Sequence, residues 1–207
     1  MAQRRGAWRN LVALALLLQA CVPFALPPAE VQVGYGARRN TSPAGALVDG
    51  PVQLRAAIDP FAVMKDRLDR VIDVSAGAFF DLAAQDPTRG GFVDLGLIPW
   101  THPIGESGLM RFEPRLQGRL IYDPDTHAFG EGIAAQLSLD LVNFTDGNFE
   151  TSGGGGGAFG YLFGEGGVGL YVEAAYGIIH EQRLASISGG FEIKIPAMFG
   201  FAWGIPH

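Results

Sequence analysis

Arg111, Glu113, Arg115, Gln117 and Arg119 occupy alternate positions of a segment whose intervening residues are Met110, Phe112, Pro114, Leu116, Gly118 and Leu120. Side chains two apart on a strand point the same way, so this spacing lines guanidinium and carboxylate groups along one face at intervals of about 6.6 Å. Asp73, Asp140 and Glu173 hold equivalent polar-face positions in other alternating segments, as do Asp69, Asp94, Glu192 and Lys194. Such a ladder can pair across a closed interior or stand solvated on an outer surface. Acid/base chemistry would need two carboxylates to converge. Asp69 and Asp73 are separated by about 13 Å of strand and cannot do so without a neighbour from elsewhere. The expected site is therefore a lumen charge ladder of Asp73, Arg111, Glu113, Arg115, Arg119, Asp140 and Glu173, with no catalytic residue.

Other motifs give no catalytic or cofactor site. Gly164-Glu165-Gly166-Gly167-Val168-Gly169 has the G-x-G-x-x-G spacing of a dinucleotide loop. That loop must open a helix, yet the residues after it alternate as a strand and Glu165 would repel a phosphate. A glycine-rich hairpin turn is the expectation. His102, His127, His180 and His207 lack ligand spacing, and Asp146, Asn148 and Glu150 form only part of a calcium loop, so no metal is expected. No serine lies in a G-x-S-x-G elbow. The chain reads as a non-enzyme without a cofactor.

The elements that would position the ladder follow from period-two patterning. Alternating runs lie at residues 52–58, 70–82, 93–97, 110–122, 133–141, 159–163, 168–178 and 187–203, separated by turn signals such as Asp86-Pro87 and Asp123-Pro124-Asp125. A short helix competes only at Phe61 to Arg70. About eight antiparallel strands with short turns should close into an all-β, up-and-down barrel over residues 51–207, which removes the sheet edges. With the apolar face outward this is a transmembrane barrel, its girdle including Phe80, Tyr122, Tyr176 and Trp203. With that face inward it is a soluble, lipid-tethered barrel resembling the lipocalins, binding an apolar ligand between Phe112, Leu116, Leu139, Val172 and Ile193. The charge-poor apolar face and the glycine and alanine on the polar face favour the first arrangement.

Charged residues make up only 17% of the chain, while glycine contributes 30 of its 207 residues, which suits a sheet with an apolar exterior. At the N-terminus, Arg4, Arg5 and Arg9 precede an uncharged run from Leu11 to Ala20 and then Leu18-Gln19-Ala20-Cys21. About ten apolar residues are too few to span a bilayer as a helix but suit a signal peptide over residues 1–20. Leu18-Gln19-Ala20-Cys21 resembles the lipobox of bacterial lipoproteins. The resemblance implies acylation of Cys21, a palmitate-type anchor and, with Val22 next, the outer membrane of a Gram-negative cell. Residues 21–50, rich in Pro, Gly, Ala, Ser and Asn, read as a flexible tether. Loss of residues 1–20 would remove three arginines and no acid, taking the net charge from −6 to −9. Nucleic acid is thereby disfavoured as a partner, and membrane lipid is expected, through acylated Cys21 and the barrel exterior.

Overall fold

A computed structural model describes residues 21–41, 44–60, 71–82, 88–105, 109–144, 147–153, 156–164, 166–179 and 182–204. Residues 1–20, expected as a signal peptide, and the candidate helix at residues 61–70 lie outside them. The strands are β1 (Cys21–Leu26), β2 (Ala29–Thr41), β3 (Ala44–Ile58), β4 (Ile72–Leu82), β5 (Thr88–Leu97), β6 (His102–Ile104), β7 (Met110–Asp123), β8 (Ala128–Phe144), β9 (Gly147–Gly153), β10 (Gly156–Phe163), β11 (Gly166–Ile179), β12 (Gln182–Ile195) and β13 (Ala197–Gly204).

Eight of these close the expected up-and-down antiparallel barrel. β2, β3, β4, β5, β7, β8, β11 and β12 are neighbours in chain order, and β12 pairs back onto β2. One rim, the turn rim, carries the short connections at residues 42–43, 83–87, 124–127 and 180–181. At the Asp123 turn, a carboxylate oxygen accepts from the Asp125 N–H at 2.9 Å while its partner oxygen accepts from the Thr126 hydroxyl at 2.7 Å, which fixes the local backbone before any tertiary contact forms. The opposite rim carries the longer excursions and the ends of the described chain. Pro27, Pro28 and Pro196 stand there.

Beyond that proline rim the barrel wall continues as a four-stranded sheet in the order β1-β13-β10-β9. This is the order of β2-β12-β11-β8, whose chains these strands extend. The β1–β13 register, from Cys21↔Trp203 to Leu26↔Met198, runs without a shift into that of β2 and β12 at Ala29↔Ile195. Proline has no N–H to donate, so Pro27, Pro28 and Pro196 open the ladder without changing which way side chains point.

Eight strands are thus correct in number but not in membership. The barrel's first strand is β2, which lies within residues 21–50, expected as a tether. Val31-Gln32-Val33-Gly34-Tyr35 is the core of a 13-residue strand. Residues 159–163 belong instead to β10 of the extension, and the run at 187–203 divides at Pro196 into β12 and β13. The glycines that made β2 read as flexible are there for space. A Cβ at Gly34 would collide with the Tyr171 hydroxyl and come within 2.8 Å of the Gly189 carbonyl oxygen. Tyr171 is itself buried. Gly34→Val is therefore expected to destabilise the closed barrel by about 1–3 kcal/mol through overpacking, read as a lower urea midpoint with the same strand content.

Candidate functional site

The alternation sorts side chains in the opposite sense to a soluble globule. Leu95, Leu116, Leu120, Ile133, Ile187 and Phe191 are all more than half exposed on the barrel exterior, whereas Asp73, Asp94, Glu113 and Glu192 are fully buried. All seven residues of the expected ladder point into the lumen. Arg111, Glu113, Arg115, Asp73, Asp140 and Glu173 are buried, and Arg119 keeps 13% of its side chain accessible.

The lumen groups form two connected clusters. In the one nearer the turn rim, Arg119 of β7 donates to Asp94 of β5 at 2.9 and 3.1 Å and to Glu173 of β11 at 2.9 and 2.7 Å. Arg55 of β3 reaches the same Glu173 at 3.0 Å and also pairs with Asp94. Two guanidinium groups thus share two carboxylates. The Arg55 guanidinium also lies 4.0 Å from the centre of the Phe92 ring, where the ring quadrupole favours a desolvated cation. Arg38 and Asp81, 3.4 Å apart, form a further pair in this half of the barrel.

Nearer the proline rim, Arg115 and Lys194 serve four carboxylates. Arg115 of β7 pairs with Glu30 of β2 at 2.8 Å and with Glu113 at 2.8 Å. Lys194 of β12 pairs with Asp140 at 2.7 Å and Glu192 at 3.0 Å. The uncharged donors supply what two cations cannot. One oxygen of Glu192 accepts from Gln32 at 3.0 Å, Gln136 at 2.9 Å and Ser138 at 3.1 Å. Gln117 donates to Asp73 at 2.6 Å. With its amide nitrogen donating to the Gly166 carbonyl oxygen at 2.9 Å, Asn143 accepts from the Arg111 guanidinium at 3.1 and 3.3 Å, the orientation that satisfies both partners. Hydrogen bonds to ionised groups are about twice as strong as neutral ones, so this donor set offsets much of the desolvation of the carboxylates.

Arg55, Glu30, Gln32, Gln117, Gln136 and Ser138 are lumen residues that the seven-residue ladder omits. Parity within β3 and β8 could have found Arg55, Gln136 and Ser138. Glu30 and Gln32 were hidden by the tether assignment. Among the described residues no group of three or more His, Cys, Asp or Glu side chains is arranged to hold a metal ion. His102 lies on β6 and His127 in the turn after β7, while His180 and His207 fall outside the described residues. Asn148 and Glu150 lie on β9, not in a turn, and Asp146 is outside the described residues. The glycine-rich motif is not a hairpin turn. Gly164, at φ 80°, forms part of the joint where the chain leaves β10 for β11. Phe112, Leu116, Leu139, Val172 and Ile193 line no internal cavity, because their positions face outward, with Leu116, Val172 and Ile193 well exposed. A shallow hollow of about 510 Å³ lies on the outer wall instead, between Leu116, Gly118, Ile133, Ala135, Ala174 and Tyr176.

No family model, curated protein or solved structure matches the chain. Its own geometry defines its class: a closed, eight-stranded, up-and-down antiparallel barrel with an apolar exterior and an ion-paired polar lumen. In that lumen Arg119 serves two carboxylates, so Arg119→Leu should cost about 3–5 kcal/mol by leaving buried charge uncompensated. Arg89 pairs with Asp125 at 2.9 Å with both side chains more than half exposed, and Arg89→Leu should cost no more than about 1 kcal/mol. Urea unfolding of the two variants beside wild type checks the contrast, and equal losses would refute it.

Proposed function

We propose that this chain is a non-enzymatic, outer-membrane-associated lipoprotein, anchored through acylated Cys21 and embedded by its small β-barrel, with a structural or interaction role in the cell envelope. The observation that carries this reading is the inverted distribution of polarity, an apolar outer wall around a lumen filled with paired charge. In water such an exterior would leave most of the barrel's large apolar side chains solvated, whereas hydrocarbon accepts them and a closed barrel leaves no edge unpaired in lipid. The dimensions agree. The outward face of β11 from Val168 to Ile178 covers ten residue steps, about 25 Å of height at ~3.3 Å per residue and a ~40° tilt.

The band also has one defined margin. Arg39, Arg89, Glu131 and Arg183 are exposed near the turn rim, where Tyr122 and Phe129 contact each other with ring centres 5.1 Å apart and Tyr176 is also exposed. Charged groups bordered by aromatic rings suit the headgroup level. The lumen contacts support a closed barrel without a conducting path, since Arg115 to Glu30 and Arg55 to Glu173 cross it between strands that are not neighbours. No observation favours the lipocalin-like alternative.

Two experiments test the two parts separately. Leu137 is exposed on the outer wall within the apolar band. In a lipid-embedded barrel Leu137→Arg should lose about 2–4 kcal/mol of stability in phospholipid vesicles, whereas a water-facing position would show almost none. For the anchor, cells fed a fatty-acid probe should label wild type and not Cys21→Ser. Equal labelling of the two would remove the lipoprotein assignment while leaving the barrel's placement intact.

A further inference from the structure

The shallow hollow on the outer wall lies beside the charged margin of the turn rim, and the strand register connects the two. Two rows of outward-facing residues cross it. The first runs Leu116, Ala135, Ala174 and Ile187 across β7, β8, β11 and β12. The second, nearer the turn rim, runs Gly118, Ile133, Tyr176 and Ala185, and continues to Arg39 of β2. Gly118, Ala135 and Ala174 are short among larger neighbours, so the wall sinks there. Leu116, Ile133 and Tyr176 border the resulting volume of about 510 Å³, within the ~300–1,000 Å³ of small-molecule sites. A third row follows towards the rim, with Glu131 opposite Ile178 and Ile178 opposite Arg183.

The charges beside the hollow are ordered as well as exposed. Arg39 faces Ala185 across the β2–β12 pairing, and Arg183 is two residues from Ala185 on the same face. The two arginines are therefore diagonal neighbours with Cβ atoms about 7 Å apart. Like charges so placed repel each other, and an anion between them reverses that effect. Both guanidinium groups can reach one phosphate, the group their forked donors fit best. Glu131, also exposed, lies two strands from Arg183 along the third row, about 9.6 Å away at the backbone. A cationic group would find its partner there. The wall thus presents a phosphate site, a cation site and an apolar hollow side by side.

We infer that this wall binds one phospholipid with an amine-bearing headgroup, its phosphate between Arg39 and Arg183, its ammonium at Glu131 and an acyl chain in the hollow beside Tyr176. The inference rests on the membrane placement proposed above, which puts these charges at the headgroup level and the hollow within the apolar band. Charge and shape together select the occupant. Free phosphate would use the arginines and leave the hollow unfilled. A lipid with an anionic headgroup and no amine would bring nothing to Glu131. A choline lipid carries a trimethylated nitrogen without an N–H, so it cannot donate to the Glu131 carboxylate, whereas an ethanolamine lipid forms that charged hydrogen bond.

Full-length protein in mild detergent, offered equal amounts of phosphatidylethanolamine, phosphatidylcholine and phosphatidylglycerol, should retain one phosphatidylethanolamine per chain in native mass spectrometry. Its preference over either competitor should be roughly tenfold, the factor that one charged hydrogen bond supplies. Arg39→Gln/Arg183→Gln should lose the retained lipid, and Ala135→Phe should lose it by filling the hollow. Glu131→Gln should still retain a lipid, with the preference for ethanolamine reduced to near parity. Arg89→Gln, which alters a rim arginine already paired with Asp125, should behave as wild type. These side chains face outward, so strand content and flotation with phosphatidylcholine vesicles should be unchanged in every variant. The selectivity of wild type is itself decisive and depends on no variant folding. Wild type that floats but retains the three lipids equally overturns the inference and leaves the membrane placement standing. So does retention that survives in the double arginine variant or in Ala135→Phe, or a preference unchanged in Glu131→Gln. Wild type that does not float overturns the placement and this inference with it.

Discussion

Everything in this molecule depends on charges that meet across the barrel. Arg115 on β7 and Glu30 on β2 belong to strands four places apart in either direction round the wall, yet their side chains are 2.8 Å apart. Arg55 and Glu173 likewise join β3 to β11. None of these pairs can form in an open sheet. Closing the sheet without them would strand ionised groups in a space without solvent, at a cost of several kcal/mol per ion. Closure and pairing therefore have to occur together. The apolar exterior then has a physical cause, because with the polar positions of eight strands turned inward, the large aliphatic side chains have only the outside left to occupy.

The same constraint sets the size of the residues along the wall. A lumen crossed by arginine, glutamate and tyrosine leaves no room for bulk on every strand. Gly34 lies where Tyr171 reaches β2, and a Cβ there has no space. Glu192 shows how uncharged donors supplement the cations: Lys194 lies 3.0 Å from one oxygen while Gln32, Gln136 and Ser138 donate to the other. Amide and hydroxyl groups take the place that further cations or water would fill in a wider barrel.

At the proline rim the rule changes within a single continuous wall. Pro27, Pro28 and Pro196 interrupt the ladder but preserve register, so the exterior of the barrel passes directly into the aromatic face of the extension. What ends there is the polar inner face. Past Glu30 and Lys194 the inward positions become Leu26, Phe24, Met198 and Ala202. The ion-paired lumen therefore has a definite upper boundary, and the extension holds its shape by backbone pairing and ring contacts.

Much of this was written in local pattern. Alternation from Met110 to Tyr122 and from Val168 to Ile178 is sufficient to place strands and to separate their faces, since a side-chain period of two admits no other regular structure. That is why Arg111, Glu113, Arg115 and Arg119 could be assigned to one face from sequence alone. Where small residues dilute the period the pattern fails. β2 carries Gly34, Gly36 and Ala37 among its alternating residues and reads as a tether, and Arg55 sits in a segment too weak to single it out. The sequence by itself determined most of the strands, their two chemical faces and closure into about eight of them. Only the tertiary structure decided which strands belong to the barrel, which face points outward and which charges meet. Those outcomes depend on contacts between residues as far apart as Glu30 and Arg115, or Arg55 and Glu173, and no local periodicity encodes a distance across a closed lumen.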